Sequence, residues 1–399
     1  MQRQRPLILL VTALTIALAF GFLTTATPLF AASKEKVLHS FGKGKDGVEP
    51  FAGLIFDAAG NLYGTTSEGG TGPCKGGNGL PIGCGTVFEL MPGAHGNWTE
   101  KVLHSFQLND GAYPQAGLIF DTAGNLYGTT WGGGAYLSCD AGLGCGTVFE
   151  LTPNADGKWS EKVLHSFGRG EDGLSPAAGL VFDTVGNLYG TTLYDGQAVC
   201  FGACGMVFRL TPKADNEWTE TVVHYFSGPD GAQPNSSLIF DDRWTEQVLH
   251  SFDGPHGAYP VGNLIFDAAG NLYGTTLEGG AHSYGTVFQL AQSTNGTWQE
   301  KVLRSFYRWR MPEAGLTLDA AGNLYGATSG GGSHDLEGTI FKFVPGTNGN
   351  WTYAVVYSFN LKKGSDPLAS LAFDTAGNMY GTTAGGGAYG YGTVFEFTP

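Results

Sequence analysis

Beyond residue 33 the chain alternates short apolar runs with polar, glycine-rich breaks. The runs are rich in Val, Ile, Phe, Tyr, Trp and Thr, and Gly, Pro or Asn bounds each one, which predicts strands separated by turns. No stretch there keeps a helical period long enough for a helix. The runs follow a fixed order: Leu-Ile-Phe-Asp (strand a), Leu-Tyr-Gly-Thr-Thr (strand b), Thr-Val-Phe-Glu-Leu (strand c) and Trp-Thr-Glu to Ser-Phe (strand d). Adjacent apolar residues such as Leu54, Ile55 and Phe56 predict sheets covered on both faces. Between a and b, Asp57 to Asn61 suits a tight turn, because Asp can accept turn amides and Gly tolerates positive φ.

This unit recurs. Strand a ends at Asp57, Asp121, Asp183, Asp241, Asp267, Asp319 and Asp374, and strand b carries Tyr63, Tyr127, Tyr189, Tyr273, Tyr325 and Tyr380. The expected units are about 51–106, 114–167, 176–226, 234–252, 260–306, 312–359, and 367–399 joined to 35–41. The fourth runs from Asp241 through Asp242 and Arg243 directly into Trp244, so it lacks strands b and c and keeps two strands. The first run after residue 33, Glu35 to Phe41, is a lone strand d, and the last, Gly392 to Pro399, is a lone strand c. Their pairing would close a ring and remove two free edges. The predicted fold is therefore all-β: a β-propeller of about seven units, six of them complete four-stranded blades and one truncated.

The recurrent Asn-Leu-Tyr-Gly-Thr-Thr, Gly-Gly-Gly and Gly-Thr-Val-Phe-Glu-Leu-Thr-Pro pieces are seen at Asn125 to Gly134 with Gly146 to Pro153, and at Asn378 to Pro399. They resemble the GloVer-type tandem repeat of bacterial exported proteins, also called choice-of-anchor repeat proteins. The resemblance spans 35–399 and implies export and tandem repeats. It supplies no catalytic residues.

Composition narrows the function classes. The net charge is −14 with only 14% charged residues, which disfavours nucleic acid and anionic membranes as partners. Arg3 and Arg5, the apolar run Leu7 to Leu23 and small residues Ala31, Ala32 and Ser33 read as a signal peptide over 1–33, leaving 34–399 as one domain. The expected location is secreted, periplasmic or cell-surface, without a later membrane span and as a monomer.

The six cysteines fall as local pairs in b–c loops: Cys74 with Cys84, Cys139 with Cys145, and Cys200 with Cys204. In an exported protein these predict three disulfides within loops rather than a metal site. Recurrent His39, His104, His165, His224 and His250 in strand d read as packing or cross-strand hydrogen bonding, and the Asp-x-x-Gly-Asn segments as turns, not calcium loops. No cofactor or metal is expected.

Up-and-down strands put the b–c and d–a loops at one end. Their variable chemistry makes that end the expected binding face. The candidate binding residues are Trp131, Tyr136, Tyr194, Asp195, Glu278, His282 and Tyr284 in b–c loops, and Tyr113 and Tyr259 in d–a loops. Asp46, Asp110, Asp172, Asp230 and Trp309 also lie in d–a loops. Aromatics beside carboxylates suit a glycan or an extracellular protein. No nucleophile elbow, metalloprotease motif or phosphate loop is present, and no catalytic residue is assigned. An alternative is a polysaccharide hydrolase or lyase using Glu68, Asp140, Asp195 or Glu278 as acid and base. A further alternative is a structural envelope protein.

Overall fold

The computed structural model describes residues 34–43, 45–139, 142–194, 204–240, 247–333 and 336–399. Residues 1–33, where a signal peptide is expected, lie outside them. Six antiparallel sheets, each with strands in the order a-b-c-d, are the blades of a propeller. The first blade comprises Ile55–Phe56, Leu62–Thr66, Thr86–Pro92 and Trp98–Ser105. The second comprises Ile119–Phe120, Leu126–Thr130, Thr147–Pro153 and Trp159–Ser166. The third comprises Val181–Phe182, Leu188–Thr192, Met206–Pro212 and Trp218–Tyr225. The fourth is Ile265–Phe266, Leu272–Glu278, Thr286–Gln292 and Trp298–Ser305, and the fifth is Thr317–Leu318, Leu324–Thr328, Thr339–Pro345 and Trp351–Ser358. The sixth takes Ala372–Phe373, Met379–Thr383 and Thr393–Thr398, and completes itself with Lys34–Ser40 as its strand d. That pairing is antiparallel and runs from Lys34 opposite Thr398 to Ser40 opposite Thr393, so the ring is closed by strands from opposite ends of the sequence.

Strand b is the inner core. All five residues of Leu62–Thr66 are buried, as are their equivalents in the other blades. The Tyr-Gly pair has a steric cause: a Cβ on Gly64 would lie 2.6 Å from the ring of Phe88 on strand c. The glycine thus lets a large aromatic cover its own backbone. The buried threonines are matched across strands, with Thr66 Oγ1 at 2.8 Å from Thr86 Oγ1. Neighbouring blades are tied through the same motif. Thr65 Oγ1 donates to the carbonyl of Ala116 at 3.2 Å, Thr129 to Ala178 at 3.1 Å, and Thr382 to Ala52 at 3.0 Å across the closure.

The a–b turn is locked as expected. Asp57 Oδ1 accepts the amides of Ala59 and Asn61, both at 2.9 Å, and Oδ2 accepts Asn61 Nδ2 at 2.8 Å and Tyr63 Oη at 3.2 Å. Blade-to-blade contact is aromatic. Phe106 at the end of strand d packs edge-on against Phe149 of the next blade at 5.1 Å, and Phe120 of strand a packs against Tyr63 of the preceding one at 5.1 Å.

The truncated unit departs from a two-stranded sheet: among the described residues of 234–252 there is no strand. Without strands b and c, its a and d segments have no ladder partner of their own. They keep the inter-blade contacts instead. Thr191 Oγ1 of the third blade donates to Pro234 O at 3.2 Å, and Phe240 packs on Tyr189 at 5.2 Å. Phe252 packs on Phe288 of the fourth blade at 5.0 Å, and Ser236 Oγ donates to Val261 O at 2.9 Å. The remnant therefore bridges the third and fourth blades near the axis while leaving a seam further out. Phe226, whose counterparts Phe41, Phe106, Phe167, Phe306 and Phe359 are fully buried, is only half-buried at this seam. Val223, Ile239, Val248 and Phe266 are exposed there.

Candidate functional site

The d–a and b–c loops share one end of the wheel and are zipped together. Gly47–Val48 pairs with Glu68–Gly69, and Ala112 with Gly132, Leu174 with Tyr194, Ala258 with Glu278 and Ser365 with Gly385 form the matching bridges. Each d–a loop then reaches a proline: Pro50, Pro114, Pro176, Pro234, Pro260, Pro312 or Pro367. The residue before it is left-handed at Glu49, Tyr113, Ser175, Gln233, Tyr259 and Asp366, with φ between 51° and 57°. Such a conformation is costly outside glycine and persists only where the surroundings fix it. Here backbone bonds do so: the amides of Glu49, Tyr113, Ser175, Gln233 and Asp366 donate to the carbonyls of Tyr391, Cys84, Cys145, Cys204 and Glu337 at 2.8–3.1 Å. The scaffold is constant while the side chain it presents changes from blade to blade.

Two of these positions, Glu49 and Asp366, meet Met311, which precedes Pro312 without the left-handed turn, in one cleft of about 470 Å³. Glu49 comes from the loop after the closing strand, Met311 from the loop after the fourth blade, and Asp366 from the loop after the fifth. Glu313, Phe51, Ser329 and Tyr391 complete its walls. Ser329 Oγ donates to Glu313 Oε1 at 2.7 Å, and Tyr391 stands 52% exposed at the rim. Burial raises the pKa of Glu49; burial and the neighbouring Glu49 charge raise that of Glu68. Asp366 is also raised, by burial and by Glu337, against a hydrogen bond from Ser365. A cleft that combines apolar walls with carboxyls held toward their protonated form has the character of a ligand site.

The candidate residues chosen from sequence are distributed differently. Tyr113 and Trp131 pack against each other, with ring centroids 6.5 Å apart, and belong to the core between the first two blades. Tyr136 lies against the core of the next interface and lines a smaller cleft with His165, Arg169 and Asp172. Tyr194 is held in its backbone bridge to Leu174. Glu278 is exposed at the end of a strand, and Tyr259 is 66% exposed. His282 and Tyr284 are brought together with the next d–a loop: His282 meets Tyr307 at 6.1 Å, Tyr284 meets Trp309 at 5.5 Å, and Arg310 lies 5.0 Å over Tyr307. Asp195, Asp140 and Cys200 lie outside the described residues. Sequence reasoning misses Glu49, Phe51, Met311, Glu313, Asp366 and Tyr391, since nothing along the chain marks their convergence.

Two of the expected disulfides, Cys74–Cys84 and Cys139–Cys145, are formed. Cys204 is also disulfide-bonded. Four of the five strand-d histidines have partners in the d–a loops, whereas His250 Nε2 is buried without a hydrogen bond. His39 Nε2 meets Asp46 Oδ2 at 3.2 Å, His104 meets Asp110 at 3.1 Å, His165 meets Asp172 at 3.2 Å and His224 meets Asp230 at 3.0 Å. These aspartates are turned into the inter-blade seams, away from a role as free carboxylates on the face.

Residues 21–245 and 240–399 match the family model of the Gloeobacter/Verrucomicrobia repeat. No curated protein matches the chain. Among solved structures, a gluconolactonase from Xanthomonas campestris is 13% identical, covers 92% of this chain and 89% of its own, and has a TM-score of 0.46. An oxidoreductase assigned as a glucose dehydrogenase, from Thermus thermophilus, is 17% identical over 92% of this chain and 100% of its own, with a TM-score of 0.46. A luciferin-regenerating enzyme is 14% identical over 89% and 92%, with a TM-score of 0.44.

Proposed function

The chain belongs to the Gloeobacter/Verrucomicrobia repeat family, and from that premise we propose that it is an exported binding propeller whose cleft at Glu49, Glu313 and Asp366 takes a neutral glycan. The observation that carries this reading is the convergence of carboxyls from three separate loops with Phe51 and Tyr391 in one cleft. Aromatic faces stack on sugar rings, and carboxyls accept or donate hydrogen bonds to hydroxyls. A chain with a net charge of −14 selects against acidic polymers. Disulfides are consistent with an oxidising compartment, hence with export, and among the described residues no helix is long and apolar enough to cross a membrane.

The test is a glycan array probed with purified residues 34–399, followed by calorimetry on any hit. Binding to neutral glycans that is lost in Tyr391→Ala and Asp366→Asn supports the proposal. Absence of binding, or binding indifferent to both changes, contradicts it. The raised carboxyls also suit a second reading, glycoside cleavage by paired acid and base. New reducing ends released from a bound glycan, and lost in Glu49→Gln, would identify that reading.

A further inference from the structure

We propose that His104, Asp110 and Glu161 form a divalent-cation site between the first and second blades. His104 is on strand d of the first blade, Asp110 in the loop that follows, and Glu161 on strand d of the second. One donor atom from each lies within 4.8 Å of the others, a spacing that encloses an ion. A divalent ion sits at about 2.0–2.2 Å from nitrogen and oxygen ligands. The aspartate is held for this role: its Oδ1 accepts the amide of Gln107 at 2.7 Å, leaving Oδ2 turned to His104 Nε2 at 3.1 Å.

Glu161 supplies a separate observation. Its Oε1 is buried and has no hydrogen-bond partner. A carboxylate oxygen desolvated without a partner is unfavourable, and beside a second carboxylate and an imidazole a cation would offset that cost. The same register carries a buried, unpartnered Oε1 at Glu35, Glu100, Glu220 and Glu300, but among the described residues only His104, Asp110 and Glu161 bring three donor atoms this close together.

The interface between the fifth and sixth blades shows what occupies this place when the chain provides it. Glu35 holds the glutamate register with its side chain fully buried, and Lys363 replaces the aspartate. Lys363 Nζ lies 2.6 Å from Glu35 Oε2. Tyr357, in the histidine register, donates to the same carboxylate oxygen at 3.1 Å. Between the fourth and fifth blades Arg304 replaces the histidine and Tyr353 the glutamate, and the guanidinium lies 3.6 Å over the tyrosine ring. The chain therefore supplies its own cation at two interfaces. At the His104, Asp110 and Glu161 interface, a metal ion would supply it.

One imidazole and two carboxylates suit zinc or manganese better than calcium, which prefers an all-oxygen shell. There are no free thiols among the described residues to compete. An ion so held would bind strand d of one blade to strand d of the next, a staple on the ring.

The experiment uses untagged residues 34–399, stripped with a chelator and titrated with Zn²⁺ by calorimetry and by thermal shift. The expected result is one equivalent of Zn²⁺ per chain, with a rise in unfolding temperature. Glu161→Gln abolishes both the uptake and the thermal response. Glutamine relieves the buried charge without changing the shape, so this variant folds. Absence of Zn²⁺ uptake by the unmodified chain, or equal uptake by the Glu161→Gln variant, overturns the proposal.

Discussion

The amide of Glu49 donates a hydrogen bond to the carbonyl of Tyr391 at 3.0 Å. Glu49 follows the strand that closes the ring and Tyr391 precedes the strand it closes against. The bond therefore ties closure to the candidate site. The cleft has Glu49 and Phe51 from one end of the sequence and Asp366, Leu368 and Tyr391 from the other. Binding at this place depends on the same pairing that holds the ring shut.

The a–b turns are local keystones. Asp121 accepts bonds from the amides of Ala123 and Asn125 at 2.8 and 2.9 Å, from Asn125 Nδ2 at 2.8 Å and from Tyr127 Oη at 3.1 Å. Asp121→Ala leaves Tyr127 and the turn amides without their acceptor. It should destabilise the chain by about 2–3 kcal/mol, since hydrogen bonds to a charged group each contribute about 1.5–3 kcal/mol and water replaces part of the loss. Chemical denaturation measures this, and an effect near zero would show the turn to be incidental.

The seam beside the truncated unit should be the least costly interface to disturb. Phe167 is fully buried and packs on Phe208 at 5.1 Å. Phe167→Ala should cost about 3–5 kcal/mol, as for large core truncations. Phe226 occupies the same register but faces the place where strand c is missing and is only half-buried. Phe226→Ala should cost less than half as much. Equal losses in the two variants would mean that the seam is packed as tightly as the complete interfaces.

The cleft should leave a signature in the pH dependence of stability. Burial raises the pKa of both Glu49 and Asp366. A carboxyl whose folded pKa is raised stabilises the native state most fully below its unfolded pKa, about 4. That contribution is lost as pH rises through the folded value. The double variant Glu49→Gln, Asp366→Asn should therefore gain stability relative to the unmodified chain as pH rises from about 4 toward neutrality. Urea midpoints measured across that range test it. A difference that stays flat or shrinks with rising pH contradicts the raised values.

Much of the fold could be read from residue order because each repeat carries its own local rules. The Tyr-Gly pair follows from Phe88 lying over Gly64, and the cysteine pairs are confined to single loops. Closure was legible because a lone strand d opens the repeats and a lone strand c ends them. The cleft was not legible, because Glu49, Glu313 and Asp366 belong to different loops and meet only once the ring has formed. The histidine partners do carry a signal in the sequence. Where His gives way to Arg304 or Tyr357, the aspartate of the following loop gives way to Arg308 or Lys363. The two positions face each other, and at His250, where the histidine is kept, the aspartate position is taken by His256. Trp131 and Tyr113 looked like surface aromatics because their loops are glycine-rich, yet those loops are zipped and turn both rings inward.

Hydrogen exchange measured by mass spectrometry, on the chain beginning at Lys34 and on one beginning at Gly42, tests the central claim most directly. If Lys34–Ser40 closes the ring on Thr393–Thr398, the longer chain protects both segments as strongly as strands c and d of the other blades. The shorter chain then loses protection over Thr393–Thr398 and around Glu49 and Tyr391. Unchanged protection of Thr393–Thr398 without the first strand would contradict ring closure and the cleft that depends on it.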